Sequence, residues 1–338
     1  MSQKSGRPPV IDFHAHILVP KVFEVTAAHS LFVKSNADPG LNQEARRKAK
    51  ERTDFVMHRM SDVSDRVAHM DAMGVDIQVL SSSLVHQCTY WAEPAESLRL
   101  ECILNDHIAR VTADNPLRLV GLGGVPLHAP TLAARELQRC MTELGLKGVG
   151  ISTTARALEI GDRALWPFWE KAEELGAVVY VHPAGNPGPR FQKFHLWNSI
   201  GQNFEEAMAI ASLFYEGVLD AFPRLKICVS HGGGYMPFYM GRVARNYLEK
   251  PSTRVNMTKS PADYLRMLYY DTCVYELEVL RHLVERVGAD RVVLGSDYPV
   301  GEMKPVDFVR DTPGISDVDK DKILATNAAS MLGIAVTR

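Results

Sequence analysis

The chain has 338 residues and is 46% hydrophobic, which is enough for a large core, and it has no apolar stretch long enough to span a membrane. Its formal net charge of −2 and pI near 6.6 argue against nucleic acid or an anionic membrane as a partner. Five scattered cysteines without a Cys-x-x-Cys pair, and an N-terminus without an apolar segment, predict a reduced cytoplasmic protein with no signal peptide.

The first predicted strand, residues 10–16, carries two histidines spaced two apart. Because alternate residues of a strand point to the same side, His14 and His16 are expected to face one point. A divalent metal is the simplest reason for such a pair, and two hydrogen-bonded histidines at a strand end are the alternative. A polar segment follows at 17–60, a length typical of a lid or small subdomain, and its charge-rich part at 44–52 predicts a solvated helix.

Apolar strands and amphipathic helices then alternate along the chain. Asp62 is a predicted helix cap and Gly74 the end of that helix, while Gly145 and Gly176 end two later helices. Seven further strands are predicted at residues 75–80, 119–127, 148–152, 177–182, 226–231, 268–274 and 291–297. Strands that are continuous apolar runs indicate a parallel sheet covered by helices.

This pattern predicts an α/β fold, specifically a distorted (β/α)8 barrel with a small insertion or lid after strand one. One domain is predicted over residues 1–338, with the insertion at about 17–60. A doubly wound open sheet is the alternative. It is disfavoured because no Gly-x-Gly-x-x-Gly turn follows the first strand.

Groups that bind metals or transfer protons lie at the ends of four predicted strands. They are His14 and His16 at the end of strand one, His182 at the end of strand five, His231 at the end of strand six and Asp297 at the end of strand eight. Strand C-termini share one face of a barrel, so these five side chains are expected to converge. Each alone would be an ordinary strand-end residue, but together they predict a metal site.

Around these positions the sequence resembles the amidohydrolase superfamily, in particular the branch of aminocarboxymuconate-semialdehyde decarboxylase. The similar segments are Asp12-Phe-His-Ala-His16, Tyr90-Trp-Ala-Glu-Pro94, Val120-Gly-Leu-Gly123, Val181-His-Pro183, Ser230-His-Gly-Gly-Gly234, Gly241-Arg242, Gly295-Ser-Asp-Tyr-Pro299 and Asn327-Ala-Ala. The resemblance implies four ligands of one divalent metal, His14, His16, His182 and Asp297. It implies zinc, with manganese as the alternative, no organic cofactor, and His231 as the catalytic histidine.

The chemistry of this ligand set predicts an enzyme. Three neutral imidazoles and one carboxylate leave a divalent cation net positive, with a position open for water. His231 can move a proton at that water, and Asp297 is expected to relay one as well as ligate. The resemblance implies a decarboxylase of an aromatic or unsaturated carboxylic acid, in aromatic compound catabolism. A hydrolase or hydratase, in which activated water attacks carbon, uses the same residues and stays open. A purely structural metal in a binding protein is disfavoured because it leaves His231 without a role.

Substrate contacts are expected from side chains near the same face of the barrel. Arg242 matches a family arginine that reaches the active site of the neighbouring subunit, which implies a homodimer or dimer of dimers. Trp91, beside Tyr90, is placed to stack on a flat substrate, with aromatic core as the alternative. Four more candidates are His86, Arg190, His195 and Trp197.

One departure from the family pattern concerns the substrate. The decarboxylase named above has an arginine in the segment after strand one, and by spacing that position falls near Asp54. Arg52 and Arg59 are close but out of register. The partner is predicted to be a small carboxylic acid, and this departure leaves open whether it is aminocarboxymuconate semialdehyde.

Overall fold

The computed structural model describes residues 7–36 and 42–335, so residues 37–41 of the predicted insertion lie outside the described part. The strands are β1 (Ile11–Ile17), β2 (Ile77–Ser82), β3 (Leu119–Gly121), β4 (Gly123–Gly124), β5 (Gly148–Ile151), β6 (Thr154–Ala155), β7 (Leu158–Glu159), β8 (Val178–Val181), β9 (Lys226–Val229), β10 (Tyr269–Asp271) and β11 (Val292–Val293).

The helices surround these strands. They are α1 (Pro20–Thr26), α2 (Leu31–Asn36), α3 (Gln43–Ser61), α4 (Val63–Met73), α5 (Leu84–Gln87), α6 (Pro94–Asp114), α7 (Pro130–Thr142), α8 (Trp166–Leu175), α9 (Leu196–Ser199), α10 (Gly201–Tyr215), α11 (Val218–Ala221), α12 (Met240–Glu249), α13 (Pro261–Leu265), α14 (Leu277–Val287), α15 (Pro305–Asp311), α16 (Asp317–Asp321) and α17 (Asn327–Leu332). None of the described helices is both long and apolar enough to cross a membrane.

Apart from β6 and β7, which pair with each other in an antiparallel hairpin, the strands form two parallel sheets that meet to give a distorted barrel. One sheet has the order β1-β2-β3, and the other has the order β11-β10-β9-β8-β5-β4. β3 and β4 are parts of one bent strand, because Leu122 between them donates its N–H to the Leu80 carbonyl of β2 at 2.8 Å. On the opposite side, the Phe13 N–H of β1 donates to the carbonyl of Leu294, just after β11, at 2.7 Å. With β3 and β4 counted once, the described residues form eight parallel strands, which confirms the predicted (β/α)8 fold.

Local sequence signals place the helix ends. The Asp62 carboxylate accepts a hydrogen bond from the Asp65 N–H at 2.8 Å and so caps α4. Gly74 ends that helix in the left-handed conformation, with φ of 73°, and Gly176 ends α8 in the same way. These caps confirm the predicted boundaries.

The third strand is shorter than the 119–127 predicted from its apolar residues. The Asn105 side chain of α6 takes the place of a neighbouring strand at Gly124. It accepts the Gly124 N–H at 2.7 Å and donates to the Gly124 carbonyl at 2.9 Å. A side chain that satisfies both backbone groups ends the strand pairing there.

The insertion between β1 and β2 is helical. Its helix α3 exposes most of its charged side chains, as predicted for 44–52, while Val56 and Met60 are buried. Val56 and Met60 pack on Leu18, which follows β1. This apolar contact fixes one face of α3 beside the C-terminal end of the barrel.

A buried polar network joins the first and last strands. The Asp12 carboxylate accepts the Ser296 N–H at 2.9 Å, the Ser296 hydroxyl at 2.6 Å and the Gln78 amide at 2.9 Å. Arg66, fully buried, donates to Gln78 at 3.0 Å. Because such bonds replace strand pairing after β11, that strand is shorter than the predicted 291–297.

We predict that Ser296→Ala lowers the free energy of unfolding by about 1–3 kcal/mol, because it leaves buried hydrogen-bonding groups of Asp12 and Tyr298 with fewer partners. Urea unfolding followed by circular dichroism measures the change. Ser61→Ala, on the exposed face of α3, is the control and should stay within about 0.5 kcal/mol of the unmodified protein. Equal stability of the two variants would contradict the role given to this network.

Candidate metal centre and active site

Side chains from three strand ends meet at the C-terminal face of the barrel. His14, His16, His182 and Asp297 are buried, and each offers a ligand atom within 4.8 Å of the others. The Nε2 atoms of His14 and His16 are 3.1 Å apart. Oδ1 of Asp297 lies 3.2 Å from the first and 3.1 Å from the second. The structure thus brings together all four residues predicted from the sequence to bind a metal.

Hydrogen bonds on the outer side of the rings orient this cluster. Nδ1 of His14 donates to the Asp271 carboxylate at 2.7 Å, and Nδ1 of His182 donates to the Pro183 carbonyl at 3.0 Å. With Nδ1 protonated, Nε2 of each ring presents a lone pair to the cluster. Lone pairs and a carboxylate oxygen in mutual contact repel unless a cation lies between them. The residues therefore fit one divalent cation, for which this is a common ligand set.

The electrostatics of the cluster also favour a positive charge. Burial lowers the pKa of His14, but the carboxylates of Asp297 and Asp271 outweigh it and raise that pKa to about 9. Burial and neighbouring imidazoles lower the pKa of His16 and place that of His182 well below its usual value. Burial opposes ionisation of Asp297, yet the surrounding imidazoles hold its pKa well below the usual value. Asp297 is therefore ionised and His16 and His182 are neutral, the forms that bind metals, and the raised pKa of His14 shows that this position attracts a cation.

Asp271 is a functional residue that the sequence reasoning missed. It is the last residue of β10 and also accepts a hydrogen bond from the Tyr180 hydroxyl at 3.0 Å. Burial raises its pKa, but the neighbouring His14 outweighs this and lowers it, so the carboxylate is ionised. The strand predicted from the sequence continued to residue 274, so Asp271 lay inside it and the strand-end rule that selected His182 and Asp297 did not select it.

His231 lies beside the cluster, with Nε2 at 3.8 Å from Oδ2 of Asp297. Its Nδ1 donates to Oε1 of Glu206 at 2.5 Å, and the Ser230 hydroxyl donates to the same oxygen at 2.5 Å. Burial lowers the pKa of His231, but Glu206 and Asp297 raise it well above its usual value. These two carboxylates therefore favour the protonated form of His231, which can donate a proton. Sequence reasoning missed Glu206, since it lies inside helix α10 and has no strand-end signal.

A cavity of about 1020 Å³ opens onto this cluster. Its aromatic lining residues are Phe32, Trp197, Tyr235, Phe238 and Tyr275. Three predicted substrate contacts, His86, His195 and Trp197, also line it. Such a cavity suits a flat organic molecule whose polar end reaches the cluster.

Three other predicted contacts lie outside the cavity lining. Trp91 stacks on His29 with ring centroids 3.6 Å apart, so His29 covers one face of its ring, and the residue is 38% exposed at the surface. Arg190 is exposed in the loop after β8, and Arg242 is exposed on α12. None of these three side chains therefore lines the cavity of its own chain.

Arg52 of α3 is the one arginine or lysine among the described residues that line the cavity. Asp54, the position indicated by spacing, is exposed and pairs with Lys50 at 2.7 Å. Counting along the chain could not show which face of α3 turns toward the barrel. The cavity wall therefore contains the cationic side chain of Arg52, in the segment where spacing had indicated the acidic Asp54.

His86 contributes a neutral polar group to the cavity wall. Its Nδ1 is 2.7 Å from the Ser83 hydroxyl, and its ring packs against Phe32. Burial, together with the nearby His16, lowers its pKa to about 4. His86 therefore stays uncharged at neutral pH, unlike Arg52.

Comparisons with known proteins agree with this geometry. The Amidohydrolase family model matches residues 11–334. A relative from Dictyostelium discoideum, 2-amino-3-carboxymuconate-6-semialdehyde decarboxylase, is 36% identical over 277 residues, which cover 81% of this chain and 77% of the relative.

Two solved structures share the fold over nearly the whole chain. The 5-carboxyvanillate decarboxylase from Sphingomonas paucimobilis has a TM-score of 0.84 and 28% identity, and covers 97% of this chain and 100% of its own. A dihydroxybenzoic acid decarboxylase from Polaromonas sp. JS666, solved with manganese and 2-nitroresorcinol, has a TM-score of 0.80 and 26% identity, and covers 96% of this chain and 97% of its own. The chain belongs to the amidohydrolase family.

Proposed function

We propose that this protein is a metal-dependent decarboxylase of an aromatic or unsaturated carboxylic acid, with no organic cofactor. The observation that carries the proposal is the position of a protonated His231 beside a cluster of three imidazoles and one carboxylate, at the base of a cavity with aromatic walls. Its similarity to three decarboxylases supports the same reaction.

Four residues would hold the metal, His14, His16, His182 and Asp297. The imidazole-rich donor set favours zinc, while the manganese in the Polaromonas structure favours manganese. When bound, the divalent cation would hold oxygen atoms of the substrate and stabilise negative charge that develops during the reaction.

The reaction needs one proton delivered to the carbon that carries the carboxylate. We assign that proton to Nε2 of His231, which Glu206 keeps protonated and oriented. The new C–H bond forms with the proton, the C–C bond to the carboxylate then breaks, and its electron pair restores the unsaturated system as carbon dioxide leaves. Asp297 is placed to relay a proton from water to His231, since its Oδ2 faces that ring.

Arg52 is the proposed anchor for a substrate carboxylate or other anionic oxygen. A guanidinium can donate two parallel hydrogen bonds to a carboxylate, and no other described lining residue is an arginine or lysine. Trp197 and His195 would contact the ring of the substrate, and the uncharged His86 would contact a neutral polar substituent.

Arg242 supports a homodimer or a dimer of dimers. It is exposed on α12, and Tyr239 just before this helix and Leu248 within it are 71% and 70% exposed. A helix that exposes apolar side chains as well as a cation suits a surface that meets a second copy. We also place the protein in the cytoplasm, where its five free cysteines would stay reduced.

We predict that the metal-loaded protein releases one carbon dioxide per product molecule from a hydroxybenzoic or related unsaturated acid. In deuterium oxide, the product should carry one deuterium at the carbon that lost the carboxylate. A panel of such acids, followed by carbon dioxide detection and mass spectrometry of the product, tests this. Incorporation of heavy oxygen from labelled water, without carbon dioxide, would instead support the hydrolase or hydratase alternative.

The matched variants for this assay are His231→Ala and His58→Ala, the second on the exposed face of α3. His231→Ala should keep its metal and lose about 100-fold to 10,000-fold in kcat, the usual contribution of a positioned proton donor. His58→Ala should retain full activity. Full activity of His231→Ala would remove this histidine as the proton donor.

We predict that Arg52→Gln raises KM by about 10-fold to 100-fold, because a charge-assisted hydrogen bond contributes roughly 1.5–3 kcal/mol. Steady-state kinetics on the preferred acid measure the effect. Arg47→Gln is the control, since Arg47 lies on the same helix and pairs with Glu44 and Glu51 at the surface. An unchanged KM in Arg52→Gln would place the substrate anchor elsewhere.

A further inference from the structure

We propose that Tyr275 is a positioning residue that fixes the orientation of the Asp297 carboxylate. The Tyr275 hydroxyl lies 3.3 Å from Oδ2 of Asp297, and the residue lines the same cavity. The inference rests on the proposed function, because Asp297 is assigned there as a metal ligand. It adds a residue from the loop after β10 that neither the sequence pattern nor the ligand cluster contains.

The two oxygens of Asp297 have separate partners. Oδ1 faces His14 and His16, at 3.2 and 3.1 Å. Oδ2 faces Tyr275 at 3.3 Å and His231 at 3.8 Å. The terminal torsion of an aspartate is broad, so a bare carboxylate can rotate at little cost. A hydroxyl that donates to Oδ2 limits this rotation and keeps Oδ1 directed at the two histidines.

The backbone at both partners is held in an unfavourable conformation. Tyr275 has φ of 59° and Asp297 has φ of 56°, in the left-handed region that bulky L-residues avoid. Tyr275 is 53% exposed, so burial of its ring does not explain the conformation. Strain of this kind persists where the surroundings impose it, and it is concentrated at functional sites. The left-handed backbone of Tyr275 allows its hydroxyl to contact the Asp297 carboxylate.

Gly301 leaves the space that the contact needs. A Cβ at that position would lie 2.9 Å from the Tyr275 hydroxyl oxygen and 2.7 Å from Cβ of Asp297. Any larger residue would therefore push on both members of the pair. The conformations of Tyr275 and Asp297 and the absence of a side chain at Gly301 thus together allow this hydroxyl to reach this carboxylate oxygen.

The test is Tyr275→Phe, which removes only the hydroxyl and keeps the ring. Apoprotein is titrated with Mn²⁺, and in parallel with Zn²⁺, by isothermal titration calorimetry. Loss of a group that orients a ligand should raise the Kd about 10-fold to 100-fold. In the metal-loaded protein, kcat should fall by a similar factor while KM stays nearly constant, since the hydroxyl acts on Asp297 and not on the substrate. Tyr269→Phe, at the start of β10 and outside the cavity lining, is the control and should change none of these values.

The outcomes separate this inference from the proposed function. If the unmodified protein binds neither Mn²⁺ nor Zn²⁺, the proposed function fails and the inference fails with it. If the unmodified protein binds metal and Tyr275→Phe binds it equally well, only the inference is overturned. A higher KM with unchanged metal affinity would likewise overturn it, because Tyr275 would then act on the substrate.

Discussion

The architecture of the site depends on the electrostatic repulsion among buried imidazole nitrogens and a carboxylate oxygen at the C-terminal end of the barrel. The Nε2 atoms of His14 and His16 are 3.1 Å apart, and a carboxylate oxygen of Asp297 contacts both. Groups of this kind are stable together only when a positive charge lies among them. The raised pKa of His14 has the same cause, because a bound proton also places a positive charge among these groups. The fold places these groups at the wall of the cavity, where a substrate can reach a cation bound among them.

The barrel supplies the rigidity that such an arrangement requires. Parallel strands align their C-terminal ends, so residues far apart in sequence reach one point without long loops. The buried bonds between Asp12 and Ser296 hold the first strand against the segment that carries Asp297. Asp271 orients His14, and Glu206 orients His231, each from an element that has no other part in the cluster. Buried polar groups that are hydrogen-bonded in this way favour one geometry and keep the ligands in place.

The sequence predicted those parts of the site that follow from local pattern. Apolar runs marked the strands, and the residue after each run marked the cluster, so His182 and Asp297 were found although they are over a hundred residues apart. Asp271 was missed because the apolar pattern predicted a strand up to residue 274, whereas the observed strand ends at Asp271 itself. Glu206 could not be found, because nothing within a helix shows which polar residue turns toward a histidine of another element. Spacing along the chain also does not give the orientation of α3. For that reason Arg52 was judged to be out of register with the arginine of the family.

The central claim is that four side chains from distant parts of the chain bind a single divalent ion, and a crystal structure with anomalous diffraction data tests it most directly. We predict one strong anomalous peak, with three histidine nitrogens and one Asp297 oxygen about 2.0–2.2 Å from it. The nitrogens would be those of His14, His16 and His182. A protein that crystallises from metal-containing solution with no ion among these residues, or with its ion bound elsewhere, would contradict the account.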